Sequence, residues 1–308
     1  MSWQRRAINA WMRYGMKPVL QCTSSPELAR KSFELAAPLF CPALPFTRLL
    51  RRPAPVPLYL LSAGRTRNRQ IILFLHGGAY LAGSARAYQG MLSRLSCAAG
   101  VEVAVPDYRL LQEAPFPAAF EDALAAWRYL RSTGYGADGI LLAGDSAGGG
   151  LALALLAGLL AEGERPAGLI ALSPWCDLTL SGASIEANRF RDVIIPAGRM
   201  KEAVDQYLAG ADPADVRASP LFAEFANPPP VLIQAGDTEV LLSDAQRMAQ
   251  RLEEAGGAVR LSLWPDVPHV WQFMAGHLPE GQAALDEAAA FAISAFDGGL
   301  PGWGQPET

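Results

Sequence analysis

Short runs of apolar residues, rich in Val, Ile and Leu, recur along the chain at 71–75, 101–105, 140–143, 169–172 and 231–234. Each is apolar at successive rather than alternate positions, the pattern of a strand covered on both faces. A sixth run, 259–263, is followed by Trp264-Pro265. Between the runs the apolar period lengthens to that of a helix. Residues 116–131 put Phe120, Leu124, Trp127 and Leu130 on one side. Residues 147–160 are apolar nearly all round, which predicts a deeply buried helix. Residues 243–255 begin at Ser243, a candidate cap, and stop at Gly256-Gly257. Strands alternating with helices predict an α/β fold: a mostly parallel central sheet flanked by helices and joined by right-handed crossovers.

Two regions break the alternation. Residues 1–46 are helical in pattern and then proline-rich, and residues 177–220 carry a helical pattern of their own at 198–208. The second is too long for a simple crossover. The expected organisation is an N-terminal cap segment, 1–46, and a catalytic domain, 47–298, with a cap insertion at about 177–220. Trp3, Trp11, Met12 and Met16 would form the apolar underside of such a cap. Contact of the N-terminal helix with a membrane ranks below that reading, because one short helix with few charges binds weakly. The Gly- and Pro-rich end, 298–308, is expected to fray.

Composition narrows the class. The 308 residues are 51% hydrophobic with net charge -4, which suits a globular chain and lacks the basic face that nucleic acid requires. Cys22, Cys41, Cys97 and Cys176 are too scattered for a disulfide framework or a zinc site, so no metal and no cofactor is expected. Arg5 and Arg6 are followed by Asn9 and Arg13 rather than by an apolar core, and no run is long enough to span a bilayer. A cytoplasmic protein without stable membrane insertion is the default expectation.

Gly144-Asp145-Ser146-Ala147-Gly148 lies between a predicted strand and a predicted helix. That is the setting of the G-x-S-x-G elbow, which exposes a serine on a sharp turn. The N–H of Ala147 would point at a developing oxyanion there, aided by the positive end of the helix. His76-Gly77-Gly78-Ala79-Tyr80 follows the run 71–75. Its two glycines let the backbone swing N–H groups into a cleft, so Gly77 and Gly78 are the expected further donors. A serine needs a base, and the chain has three histidines. His76 sits in the glycine loop and is expected to bond backbone, and His277 is expected at the surface. His269 follows the last strand and is the candidate base. The acid should follow the run 231–234, where Asp237 and Glu239 both qualify; Asp244 reads as a dipole partner at the start of the next helix.

These motifs, with Asp107-Tyr108-Arg109-Leu110, Pro115-Phe116-Pro117-Ala118, Glu121-Asp122-Ala123 and the stretch 231–271, resemble the bacterial hormone-sensitive-lipase family of α/β-hydrolases. The resemblance implies a carboxylesterase with a helical cap, with Ser146 as nucleophile, His269 as base, and Gly77, Gly78 and Ala147 as oxyanion donors. The family usually has Asp where this chain has Glu239, but one branch has Glu followed by Val-Leu-Leu, as in Glu239-Val240-Leu241-Leu242. The resemblance therefore favours Glu239 over Asp237. One departure is Leu110-Leu111-Gln112-Glu113-Ala114, where the family has a histidine that is missing here. Tyr80 and Trp175, each after a strand end, are candidate pocket walls. The implied partner is a small ester of short to medium acyl chain, with at most a second copy of the chain as a homodimer. A lactone hydrolase with the same triad and a silent ligand-binding relative are the rival readings; a base with a matching acid speaks against the second.

Overall fold

The computed structural model describes residues 2–23 and 25–298; the expected fraying of the C-terminal end falls on residues that lie almost wholly outside that range. Eight strands form one sheet: β1 (Arg48–Arg52), β2 (Leu58–Ser62), β3 (Ile71–Leu75), β4 (Glu102–Pro106), β5 (Ile140–Asp145), β6 (Gly168–Leu172), β7 (Val231–Gly236) and β8 (Val259–Trp264). Their spatial order is β1-β2-β4-β3-β5-β6-β7-β8. The six strands from β3 onward are parallel, and β2 runs antiparallel to both β1 and β4. The apolar runs mark those six strands and miss the first two. β1 is Arg-Leu-Leu-Arg-Arg at an exposed sheet edge, where charge rather than an apolar run guards against further pairing.

The helices after the first strands are α4 (Gln89–Ala99), α5 (Ala118–Ser132), α6 (Ser146–Ala161), α7 (Ser184–Ala187), α8 (Met200–Leu208), α9 (Leu242–Glu254) and α10 (Pro279–Phe296), preceded by α1 (Trp3–Trp11), α2 (Lys17–Cys22) and α3 (Pro26–Phe40). β3 shows how the sheet is sealed. Ile71, Leu73 and Leu75 pack with Trp127 of α5 and Leu151 of α6, while Ile72 and Phe74 pack with Met91 of α4 and Phe291 of α10. All five strand residues are buried. Ser243 is not the cap of α9, which begins one residue earlier; its Oγ instead accepts the N–H of Ser184 in the insertion.

The insertion and the N-terminal helices form one layer over the C-terminal ends of the strands. Basic side chains of the N-terminal segment donate to backbone carbonyls of the insertion: Arg13 to Phe190 at 3.1 Å and Lys17 to Asp192 at 2.7 Å. In return Arg199 donates to Leu20 at 2.8 Å. Met12 and Met16 face inward and line the cavity over the strand ends. Trp3 does not: it is 75% exposed, and Trp11 packs against Phe40 at the rim. No helix among the described residues is long and apolar enough to cross a membrane.

Candidate active site

β5 ends at Asp145 and α6 begins at once, so Ser146 takes up the whole reversal with φ of 51°. A side chain at Gly148 would collide with the carbonyls of Leu75 and His76, and one at Gly144 with the carbonyl of Gly148. The two glycines thus let the start of α6 sit against the end of β3, which pushes the serine out of the turn.

His269 lies in the loop after β8. Its Nε2 is 2.9 Å from Ser146 Oγ and its Nδ1 is 2.6 Å from Glu239 Oε2. Glu239, buried in the turn after β7, also accepts from Ser173 Oγ at 2.8 Å and from the Gly236 N–H at 2.5 Å. Asp237 faces away. Its Oδ1 accepts the Asp266 N–H at 2.7 Å, and its other oxygen lies 3.9 Å from Arg191. Of the two acid candidates only Glu239 meets the imidazole. His277 is exposed, and His76 is buried with Nδ1 2.9 Å from the Gly77 carbonyl. Burial pushes the His76 ring down to about 4, so it is neutral at ordinary pH.

Three positioning residues escaped the sequence reading. Ser173, just after β6 with φ of 48°, donates to Glu239 and accepts the Val270 N–H at 3.3 Å, tying Glu239 to the loop that carries His269. Asn188 of the insertion donates to the carbonyls of Glu239 (2.8 Å) and Asp237 (3.2 Å). Asp192, also buried, accepts the Val240 N–H at 3.0 Å with one oxygen and the N–H groups of Ile194 and Ile195 with the other. The insertion therefore grips the turn that carries Glu239. Serine, asparagine and aspartate in a loop are common, and nothing in their local sequence marks this long-range role. Asp244 is more than a dipole partner: buried, it accepts the N–H groups of Cys176 and Asp177 at 2.9 and 3.0 Å and so anchors the start of the insertion to α9.

Electrostatics favour the protonated form of His269. Burial lowers the affinity of His269 for a proton, but the charge and hydrogen bond of Glu239, with the charges of Asp192 and Asp145, outweigh it and raise the group above its ordinary value. Asp145 is itself pushed up to about 6 by burial, against the stabilising bonds of Tyr88 and Gly77.

The oxyanion loop requires one correction. The Gly77 N–H donates to Asp145 Oδ1 at 2.8 Å and so does not face the cleft. The next two residues do line it. Gly78, Ala79 and Tyr80 all have positive φ (114°, 52° and 60°), which curls the loop so that Gly78 and Ala79 border the same cavity as Ser146. No acceptor for their N–H groups occurs among the described residues. The Ala147 N–H, in the first turn of α6, likewise lacks an intrahelical acceptor.

That cavity has a volume of about 380 Å³. Ser146 and His269 lie at its floor, and Met12, Met16, Phe33, Ile195, Met200 and Trp175 are among its apolar walls. Tyr80, the other candidate wall residue, is a packing residue instead: it stacks on Tyr207 at 3.7 Å and donates to the Ala147 carbonyl at 3.1 Å. Among the described residues no cluster of His, Cys, Asp and Glu has the makings of a metal site.

Comparison with known proteins gives the family. Residues 72–273 match the family model described as the alpha/beta hydrolase fold. The chain is 41% identical over 235 residues to an acetyl-hydrolase of Streptomyces hygroscopicus, covering 76% of this chain and 79% of that protein. It is 34% identical over 227 residues to an esterase of Acinetobacter venetianus, covering 73% and 75%. The crystal structure of an esterase from the bacterial hormone-sensitive lipase family is similar with a TM-score of 0.91 and 36% identity, over 96% of this chain and 99% of that one. The chain belongs to the bacterial hormone-sensitive-lipase family of α/β-hydrolases and is a carboxylic ester hydrolase.

Proposed function

We propose that the protein is a serine carboxylesterase that cleaves short- to medium-chain acyl esters through an acyl-enzyme. The observation that carries this reading is the unbroken relay from Ser146 through His269 to Glu239, with contacts of 2.9 and 2.6 Å. His269 Nε2 takes the Ser146 proton as Oγ bonds to the ester carbonyl carbon. The carbonyl oxygen becomes an oxyanion, received by the N–H groups of Gly78, Ala79 and Ala147. Each such donor is worth roughly 3–4 kcal/mol in comparable sites. The carbon–oxygen bond to the alcohol then breaks, and the alcohol leaves with the proton held by His269. Water repeats the sequence on the acyl-enzyme: His269 takes its proton, the acid forms, and Ser146 is restored.

Glu239 stabilises the imidazolium and holds the ring in the tautomer that faces serine. Ser173, Asn188 and Asp192 keep that carboxylate in place. The apolar walls of the cavity suit an acyl chain, and its volume limits how long a chain fits. Four free thiols suit the cytoplasm as compartment.

Hydrolysis of a chain-length series of p-nitrophenyl esters, with Ser146→Ala alongside, tests the reading. Turnover should peak at short to medium chains and collapse in the variant. Activity that survives Ser146→Ala sinks the mechanism. Turnover confined to lactones redirects the substrate, and ligand binding without any turnover replaces the enzyme by a receptor.

A further inference from the structure

The N-terminal helices are apolar on two faces. One face lines the cavity through Met12, Met16, Phe33 and Phe40. The other looks into solvent, where Trp3 is 75% exposed, Tyr14 80%, Leu35 77% and Leu39 77%. Trp3, Ala7 and Trp11 follow four residues apart on α1, and Leu28, Lys31, Leu35 and Leu39 fall at helical spacing on α3. Trp11 and Phe40, with ring centroids 4.9 Å apart, join the two helices. Phe190, 78% exposed, adds a ring beside Arg13, which bonds its carbonyl. Large apolar side chains exposed together on neighbouring helices mark a contact surface.

Charge identifies the occupant. The first 40 residues hold six Arg and Lys against two Glu, in a chain whose net charge is -4; of the six, Arg5 pairs with Asp266 and Arg30 with Glu113. Of the two Glu, Glu34 is turned inward and accepts from Ser84 at 2.8 Å, which leaves Glu27 as the exposed acid. Arg6 and Lys31 are exposed on α1 and α3, and neither is in an ion pair among the described residues. Apolar rings and leucines interleaved with unpaired cations match an interface of acyl chains beneath anionic head groups. A second copy of the chain fits less well, because a two-fold contact would set this basic face against itself.

We propose that the outer face of α1 and α3 docks on an anionic lipid surface. This is peripheral contact by two helices and a neighbouring ring, so the weakness of a single short helix does not apply. Docking sets the helices that wall the cavity against an interface that can hold amphiphilic esters. The surface is independent of the reaction at Ser146 and is tested separately from it.

The test is cosedimentation of the full chain with phosphatidylcholine vesicles, with and without one part in three of phosphatidylglycerol, at low and high salt. Two variants are compared: Trp3→Ser/Tyr14→Ser/Leu35→Gln/Leu39→Gln, and Arg6→Gln/Lys31→Gln. Hydrolysis of soluble p-nitrophenyl acetate without vesicles checks that both fold. The chain should pellet with anionic vesicles and release with salt. The apolar variant should lose roughly tenfold or more in affinity and the charge variant several-fold, with the soluble assay unchanged. Failure to bind anionic vesicles, equal binding to pure phosphatidylcholine, or variants that bind as well as the parent overturns the proposal. So does a dimer by light scattering that the apolar variant dissociates, with no vesicle binding by either.

Discussion

The amide N–H of Gly77 donates to Asp145 Oδ1 across 2.8 Å, linking the oxyanion loop to the residue before the nucleophile. The other oxygen of Asp145 accepts from Tyr88 at 2.9 Å. One buried carboxylate therefore fixes the His76–Gly77 peptide plane, one residue before Gly78, and ties it to Tyr88 at the start of α4. Asp145→Ala leaves two buried donors without a partner, at a cost of about 1–3 kcal/mol each. It also frees the loop to turn its N–H groups away. The expected outcome is a lower Tm and a fall in kcat of roughly 10–10² with little change in KM, read by steady-state kinetics on p-nitrophenyl acetate. An unchanged kcat would show that the bond does not hold the hole in shape.

The acid is decided by two substitutions. Glu239→Gln removes the charge that balances the imidazolium, and kcat should fall by roughly 10²–10⁴. Asp237→Asn disturbs a half-exposed contact and should stay within about threefold. The pH dependence carries the same assignment. The base works neutral, so kcat/KM rises with pH through the His269 titration, which lies above its ordinary 6.5. In Glu239→Gln that acid limb moves to lower pH. A limb that stays in place, or a larger loss in Asp237→Asn, contradicts the assignment.

Asp192 reaches the site from the insertion at 177–220, so it connects that segment to the chemistry. Asp192→Asn takes away one carboxylate acceptor for the Val240, Ile194 and Ile195 N–H groups and a negative charge that favours protonated His269. A drop in kcat of roughly tenfold is expected, together with an acid limb shifted downward. A residue that only braced the fold would lower Tm without moving the limb.

Much of this was legible in the sequence, and the failures have physical reasons. Strands buried on both faces announce themselves as apolar runs, as in Ile71 to Leu75. β1 does not, because an edge strand of Arg-Leu-Leu-Arg-Arg looks like a solvated segment until β2 pairs with it. The elbow is local: two glycines and a serine at fixed spacing between strand and helix. His269 stood out because the chain has so few histidines. The offset in the loop is not visible in the sequence, since it depends on Asp145 at the end of the neighbouring strand taking the Gly77 N–H. Ser173, Asn188 and Asp192 were hidden for the same reason. Trp3 is expected on the apolar underside of a cap with Met12 and Met16, but it lies on the outer side of α1, opposite Met12.

Asp244 gives a stability prediction with a definite sign. Burial, with the charge of Asp177 added, pushes its carboxyl up to about 7, against the hydrogen bonds of the Cys176 and Asp177 N–H groups. The folded state therefore holds a proton that the unfolded chain releases near 4, and stability falls as pH rises from about 4 to 7. Asp244→Asn keeps an oxygen for the two N–H groups and removes that dependence. Thermal melts should show the variant gaining on the parent between pH 5 and pH 8, by an amount on the order of a few kcal/mol. A constant difference across that range would place the titration elsewhere.

The most direct test of the mechanism is the site of the covalent intermediate. Turnover of p-nitrophenyl acetate is quenched in acid within the first cycles, and the digested protein is mapped by mass spectrometry. The expected result is an acetyl group on the peptide bearing Ser146, absent in Ser146→Ala, whose hydrolysis falls by roughly 10⁴ or more. No adduct at Ser146, with hydrolysis persisting in Ser146→Ala, would contradict the relay from Ser146 through His269 to Glu239.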